Sequence, residues 1–495
     1  MEITLFDIPL LNNEVCQYLS RKDLAHCVLA SKAWANQFSP ALWRNLDCRY
    51  RIPDILTLTR RREHIRIVRH ISMECESTVL EQLAFLRLQR LEFNKLSGGT
   101  SQKEIQVLHV LERIPTLQHL QISLTLDCNT MSQQWARTME ALPCMESLTL
   151  TCHRLVSGIV FQNVLQSCRG LQRLALELME DGNELERQEY KDVRAAIERM
   201  PEMHFCELIL DSDREAVFEN IFRPLLERCP RMEKLCLGKM CNGPTLTHLA
   251  KTLHENKLPK LRYLALTDDS GDQVEKVLGE VLSYIACGLD GFIPGGYDCS
   301  VIAPPLIQYH ARSLTRLDML DSPMSLWTFS DLMAGLPCLR TVRAIISEDL
   351  QDDDDILPLD KDWKCLGLRS LQLELEISVS CYSIDDDEWE GSTEKGYLDH
   401  VFSQVAKLES LGELCLGCGL DMFCKKFGYL KQLAGLKQLK VLDLSKAAHS
   451  NFGKQHALWM AMNWPKLLQV RGQDLPVMFK RTLLKRRPLV EFVNE

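Results

Sequence analysis

The amino-acid sequence predicts an α/β solenoid, a run of strand–helix units in which each unit shares its core with the next. Three observations predict it. A six-residue pattern φ-x-x-φ-x-φ, with φ apolar, has its first φ at Leu88, Leu117, Met145, Leu171, Met203, Met232, Leu261, Leu289, Leu314, Leu339, Leu368, Leu411, Leu439 and Leu467, in steps of 29, 28, 26, 32, 29, 29, 28, 25, 25, 29, 43, 28 and 28. Between these segments the apolar spacing becomes helical: Val156, Val160 and Val164 run beside Phe161 and Leu165, and Leu398, Val401, Phe402, Val405 and Leu408 do the same. Seven of the nineteen prolines, at 115, 143, 201, 230, 259, 337 and 465, stand two places before a first φ. Proline lacks an N–H and cannot continue a helix, so each is expected to stop a helix and release the chain into a strand.

A step of about 28 residues that alternates strand and helix is the signature of a leucine-rich repeat. The helical convex side most resembles the ribonuclease-inhibitor-like branch, with about 14 strand–helix repeats. The expectation is a solenoid over 68–495, without a hinge between Val68 and Leu468. Two units look irregular. The one at Leu289, GLDGFIPGGYDCS, is glycine-rich and shows only Leu289 and Phe292 of the pattern. The 43-residue step after Leu368 carries an acidic segment near 378–397, too polar for a core and read as a surface insertion.

Residues 1–47 follow a different rule. Leu11, Val15 and Leu19 recur at i, i+4 and i+8 after Pro9, giving a short helix. Ser20 and Asp23 form an S-x-x-D start signal. Leu24, Cys27, Val28, Ser31 and Trp34 then trace a second helical stripe, closed by Phe38 and a break at Pro40, and Leu42, Trp43 and Leu46 begin a third turn. About 40 residues is the lower limit at which a domain stands alone without staples, so apolar residues here are expected to need a partner.

This segment resembles the F-box, the helical module that docks the Skp adaptor of SCF-type cullin-RING ubiquitin ligases. Ile8-Pro9 stands where the family has Leu-Pro, and Tyr18-Leu19 closes the first helix. Lys22-Asp23-Leu24 opens the second, Val28 to Trp34 is similar to the V-x-x-x-W core, and Pro40-x-Leu42-Trp43 is similar to the closing P-x-L-W. Leu10 and Leu11 depart from the pattern, which commonly has an acid after the proline. The resemblance implies adaptor contact by Pro9, Leu19, Leu24, Val28, Trp34, Leu42 and Trp43, as contact surface or as the core supporting it. Residues 48–67 form a basic connector in which Arg60, Arg61 and Arg62 read as solvated surface in preference to a nuclear signal.

Composition narrows the function classes. A hydrophobic fraction of 46% with 25% charge is that of an ordinary globular protein, and a net charge of −9 argues against a phosphate-binding surface overall. Glu2 and Asp7 stand where a signal peptide carries positive charge, and no run of about 18 apolar residues occurs. An intracellular protein, cytoplasmic or nuclear, without membrane or nucleic-acid partners is expected. The twenty cysteines lack paired spacing and read as small buried hydrophobes in a reducing compartment.

No catalytic constellation emerges, and neither a cofactor nor a metal is expected. Cys415 and Cys418 have zinc-knuckle spacing but no second ligand pair. Neighbours on a strand alternate faces, so Arg173, Glu207, Tyr263, Arg316, Asp318, Arg343, Gln372 and Glu374 are expected on the concave surface, where protein binding is the usual use. Acids follow several strands: Asp268, Asp269 and Asp272, then Asp321, then Asp352, Asp353, Asp354 and Asp355, then Asp385 and Asp386 with Trp389. Parallel strands place their C-terminal ends on one edge, so these carboxylates are expected to form a rim for a Lys/Arg-rich target, with Trp389 as an apolar anchor.

Two functional readings follow. In the first, the chain is a non-catalytic substrate receptor of an SCF-type ligase, binding the Skp adaptor through the F-box-like module and a protein target through the repeats. In the alternative it is a leucine-rich-repeat binding scaffold or GTPase regulator unconnected with ubiquitin.

Overall fold

The computed structural model describes residues 9–48, 61, 63–71, 81, 83, 86–93, 101–126, 129–155, 158–168, 170–178, 187–212, 215–239, 243–267, 274–348, 361–377, 393–418, 428–445, 452–473 and 475–493, which fall in two compact units, Met1–Met232 and Glu233–Glu495. The first unit opens with three helices, α1 (Pro9–Tyr18), α2 (Arg21–Ala30) and α3 (Lys32–Arg44). The chain then alternates between strands and helices: β1 (Asn45–Asp47), β2 (Ile67–Ile71), β3 (Arg90–Phe93), α4 (Ser101–Leu111), β4 (His119–Leu126), α5 (Asn129–Glu140), β5 (Ser147–Leu155), α6 (Gly158–Ser167), β6 (Arg173–Leu178), α7 (Arg187–Glu198) and β7 (Glu207–Ser212). A last helix, α8, joins Glu215–Val217, a π-helical turn at Phe218–Phe222, and Arg223–Leu226.

The second unit repeats the alternation: β8 (Lys234–Leu237), α9 (Gly243–His254), β9 (Tyr263–Leu266), α10 (Val274–Tyr284), β10 (Gly291–Ile293), α11 (Cys299–His310), β11 (Arg316–Met324), α12 (Leu326–Gly335), β12 (Thr341–Glu348) and β13 (Ser370–Ile377). It continues through α13 (Thr393–Ala406), β14 (Glu413–Cys418), α14 (Gly428–Gln432), β15 (Val441–Asp443), α15 (Lys454–Asn463), β16 (Gln469–Arg471), α16 (Val477–Arg486) and β17 (Glu491–Val493). Strands adjacent in sequence pair in parallel, β1 to β7 in the first unit and β8 to β17 in the second. The fold is a leucine-rich-repeat solenoid.

Its core is a stack of identical positions. Leu91, Leu120, Leu148, Leu174 and Leu208 are in register in the first unit, and Leu235, Leu264, Phe292, Leu317, Val342, Leu371, Leu414, Leu442 and Val470 in the second, each at most 2% exposed. Every one of the fourteen predicted first-φ residues is buried as well. Full burial of a Leu side chain contributes about 1.5–3 kcal/mol, so each layer depends on both neighbours to keep water away.

Register is set by the backbone. The Gln118 carbonyl accepts both the Glu146 N–H (2.9 Å) and the Ser147 N–H (3.0 Å), and the Glu146 carbonyl accepts those of Gln172 (2.9 Å) and Arg173 (3.1 Å). In the second unit Arg262 accepts from Asp290 and Gly291, Asp290 from Thr315 and Arg316, Thr315 from Arg340 and Thr341, and the same pairing continues to Lys440, which accepts from Leu468 and Gln469. One carbonyl with two lone pairs thus holds two successive N–H groups of the next repeat.

The prolines act differently from the expectation. The helices end earlier, at Leu111, Glu140, His254, Gly335 and Asn463, and the proline occupies the second position of a turn. The Leu117 N–H donates to Ile114 (3.1 Å) across Pro115, and the same bond spans Pro143, Pro230, Pro259, Pro337 and Pro465. Proline's fixed φ suits that position of a β-turn, which delivers the chain to the first φ. The turn at Pro201 departs, since Met203 donates instead to Arg228 (2.7 Å).

Three further expectations change. The unit at Leu289 is regular: β10 pairs on both sides, and Gly291 lies where a Cβ would run into the Tyr263 ring. Ser31 interrupts the stripe from Leu24 to Trp34, because its extended backbone (φ −162°, ψ 163°) and hydroxyl, which accepts the Trp34 N–H at 3.1 Å, end α2 and start α3. Pro40 does not break a helix but lies inside α3, and Leu46 belongs to β1, which pairs with β2. Of the acidic insertion, residues 378–392 lie outside the described residues, while Thr393 already begins α13.

His310 ties three elements of the second unit together. It is fully buried, its Nδ1 accepts the Leu289 N–H (3.2 Å), and its Nε2 donates to the Leu282 carbonyl (3.0 Å). Burial draws its pKa below the ordinary 6.5, and the same cause lowers His400 and His456. Below that value the unfolded chain takes up protons before the folded one, so this stability is complete above pH 6.5 and is lost as pH falls through the window beneath it. Urea unfolding at pH 7.5 and 5.5 should show that loss. His310→Asn should cost about 1–3 kcal/mol at pH 7.5 and shrink the difference between the two pH values; an unchanged difference contradicts the assignment.

Candidate interaction site

The helical segment begins with a reciprocal cap. The Asp23 N–H donates to Ser20 Oγ (3.2 Å), and the Ser20 N–H donates to Asp23 Oδ2 (3.2 Å), the capping box read from the sequence. The Ser20 hydroxyl, also bonded to that carboxylate, holds the Asp23 pKa below the ordinary range. Helix α2 packs along α3, and α1 touches α3. Among the described side chains of these helices Leu24 (7% exposed), Phe38 (1%) and Ser39 are buried, with the Trp34 ring 5.5 Å from Phe38.

The predicted adaptor residues divide by burial. Leu24 is interior. Leu19, Val28, Leu42 and Trp43 are half-buried, Trp34 is exposed, and Pro9 is the first residue of α1. The Arg61 guanidinium lies 5.7 Å over the Trp43 ring, a cation–π contact that brings the basic connector back onto α3. Sequence reasoning missed the large apolar side chains most exposed among the described residues, Tyr18 at 83% and Leu29 at 82%. Leu29 sits one place off the Leu24–Val28 stripe on α2, and an apolar residue outside its helix's buried stripe was the available signal.

The strand positions expected on the concave surface take part in two sets of polar contacts. In the first unit Arg173 pairs with Glu207 (3.4 Å), and the Thr151 hydroxyl donates to Glu177 (2.8 Å). In the second, Arg343 Nη1 donates to Asp318 Oδ2 (2.8 Å), its Nε donates to Gln372 Oε1 (2.9 Å), and Gln372 Nε2 donates to Glu374 Oε1 (3.0 Å). Asp318 and Glu374 are 7% and 8% exposed, which the sequence did not indicate for strand acids facing outward. Both are nearly desolvated, Asp318 held by Arg343 on the next strand and Glu374 by Gln372 two places before it on β13. Tyr263 and Arg316 share a register position with each other through Gly291, two residues before the row of Asp318 and Arg343.

Of the expected acidic rim, Asp321 is exposed but lies inside β11, where the register with β12 shifts between Met319 and Met324. Asp268, Asp269, Asp272, Asp352, Asp353, Asp354, Asp355, Asp385, Asp386 and Trp389 lie outside the described residues. Among the described residues no three His, Cys, Asp or Glu side chains gather as metal ligands, and no helix is long and apolar enough to cross a membrane. Burial pushes the thiols of Cys168, Cys229, Cys299 and Cys365 up to about 12, so they act as small apolar groups. Cys144, Cys206, Cys287 and Cys338 are exposed instead, Cys144 and Cys338 because they follow a turn proline.

No family model and no curated protein matches the chain. It is similar to the yeast Rad7 and Elc1 complex at 14% identity, over 86% of this chain and 84% of that one, with a TM-score of 0.37. It is similar to the leucine-rich-repeat-containing protein LegL7 of Legionella pneumophila at 12%, over 79% and 97%, with a TM-score of 0.34. A Bacteroides fragilis protein gives 14%, over 54% and 66%, with a TM-score of 0.29.

The Arg343 lattice makes a direct prediction. Arg343→Ala strands the Asp318 carboxylate in its nearly dry position and should cost about 1–3 kcal/mol by urea denaturation. Adding Asp318→Asn should recover part of the loss, and a double variant no better than the single one contradicts the pairing.

Proposed function

We propose that this chain is the substrate-recognition subunit of an SCF-type cullin-RING E3 ubiquitin ligase. The observation that carries the reading is the presentation of Tyr18, Leu29 and Trp34 on three short helices in which Leu24 and Phe38 are the buried apolar side chains among the described residues. Large apolar side chains on so small a module cannot be covered by the module itself and favour an apolar partner surface. The resemblance of Pro9, Val28, Trp34 and Pro40-x-Leu42-Trp43 to the F-box makes that partner the Skp adaptor and, through it, the cullin-RING core. Leu24 and Phe38 support the surface, and Trp43, clamped by Arg61, orients the end of α3.

The repeats hold the target. The lattice from Asp318 to Glu374 offers fixed charged and polar groups to a target surface. The chain itself does no chemistry. It raises the local concentration of a target lysine beside a ubiquitin-charged enzyme, a contribution of proximity.

Tyr18→Ser with Leu29→Ser tests the reading without touching the interior. Truncation of interface hot spots costs 2 kcal/mol or more, about thirtyfold in affinity. The double variant should lose purified Skp adaptor in a pull-down while its circular dichroism stays unchanged, and Pro9→Ala with Trp43→Ala should behave the same way. Undiminished adaptor binding by both pairs removes the ubiquitin reading and leaves a repeat scaffold or GTPase regulator.

A further inference from the structure

Helix α16 carries the inference. Phe479 and Leu483, fully buried, fix it to the repeat. On the opposite side Val477, Met478, Arg481, Leu484 and Lys485 follow the spacing i, i+1, i+4, i+7 and i+8, so they share about a third of the helix circumference. Val477 is 62% exposed, Met478 59% and Leu484 39%, and Leu489, just beyond the helix, is 81% exposed.

The charge on this face runs against the rest of the chain. The protein is net −9, yet 477–487 contains Lys480, Arg481, Lys485, Arg486 and Arg487 and no acid. Arg481 and Lys485 have no ion-pair partner among the described residues. Cations in the last turn offset the helix dipole, which accounts for Lys485 and Arg486 but not for Arg481 in mid-helix or for the bare Val477 and Met478 in the first turn.

We propose that this face of α16 is a docking surface for an acidic amphipathic helix of a partner protein. Carboxylates of the partner pair with Arg481 and Lys485, and its apolar side chains cover Val477, Met478, Leu484 and Leu489. A nucleic-acid backbone satisfies the cations but leaves three apolar side chains of the stripe wet, and the stripe itself carries no aromatic residue to stack a base. A bilayer is disfavoured because Phe479 and Leu483, the broad apolar side such a helix would insert, are committed to the core. The surface is independent of the adaptor module and does not rest on the ubiquitin reading.

The test titrates the full chain into a labelled 18-residue helical peptide made of Glu and Leu, with Leu at i, i+3, i+4 and i+7, followed by fluorescence anisotropy. Saturable, salt-sensitive binding is expected. Arg481→Glu with Lys485→Glu should weaken it at least about tenfold and flatten its salt dependence. Val477→Ser with Met478→Ser should weaken it about fivefold or more and leave the salt slope intact. Unchanged melting temperatures confirm that both variants fold. Absent binding, or binding indifferent to both pairs, overturns the proposal. So does an outcome in which phosphatidylserine vesicles or duplex DNA, titrated in place of the peptide, bind and respond to the charge reversal while the peptide does not.

Discussion

A single backbone arrangement organises each unit: the carbonyl just before a strand accepts two consecutive N–H groups from the following repeat. Gln118, Glu146, Arg262, Asp290, Thr315 and Arg340 all serve in this way. Because the bonds come from main chain, they hold for any side chain at that place, which is why Gly412 fills the same role as Arg369. A slip of one residue would turn the leucine stack outward and the polar positions inward. The shared carbonyl and the buried φ positions therefore enforce each other.

The turn ahead of each strand is where local sequence meets this ladder. Proline presets the turn at Ile114-Pro115 and its equivalents, and where proline is absent, as at Cys168 to Leu171 or Leu408 to Leu411, the same hydrogen bond forms without it. The φ stack supplies the reason to close the turn, and proline lowers the entropy of doing so. Gly288, at φ +76°, and Gly291 then show what a glycine-rich repeat is for: one permits a left-handed backbone, the other leaves room for the Tyr263 ring.

Much of the fold was legible because strand and helix periods differ and the repeat multiplies the signal. The first φ of every repeat, the capping box at Ser20 and the shared face of Arg343 and Gln372 followed from spacing alone. Boundaries were less legible. Ser31 reads as part of a stripe because serine is small, and only its extended backbone makes it a cap; Pro40 reads as a break because a helix rarely gives up a hydrogen bond in its interior. At the candidate site, burial decides roles that residue type cannot. Leu24 and Leu29 are the same residue on the same helix, one interior and one bare, and Asp318 looks solvated until the next strand brings Arg343 across it.

Within each unit the layers carry their chemistry on side chains turned outward: exposed apolar residues on the N-terminal helices and a polar lattice on the strands of the first unit, a charged lattice on the strands and a basic stripe on α16 in the second. The strand lattices depend on the ladder to hold their side chains in place, so the ladder is the claim to test. Native-state hydrogen exchange on Leu264→Ala, a fully buried position of β9, does so most directly. A large-to-small change there costs about 2–5 kcal/mol. The account predicts that the paired amides of residues 262 and 263, 290 and 291, and 315 and 316 lose protection together, by one common factor. Loss confined to β9, with its neighbours as protected as before, would contradict it.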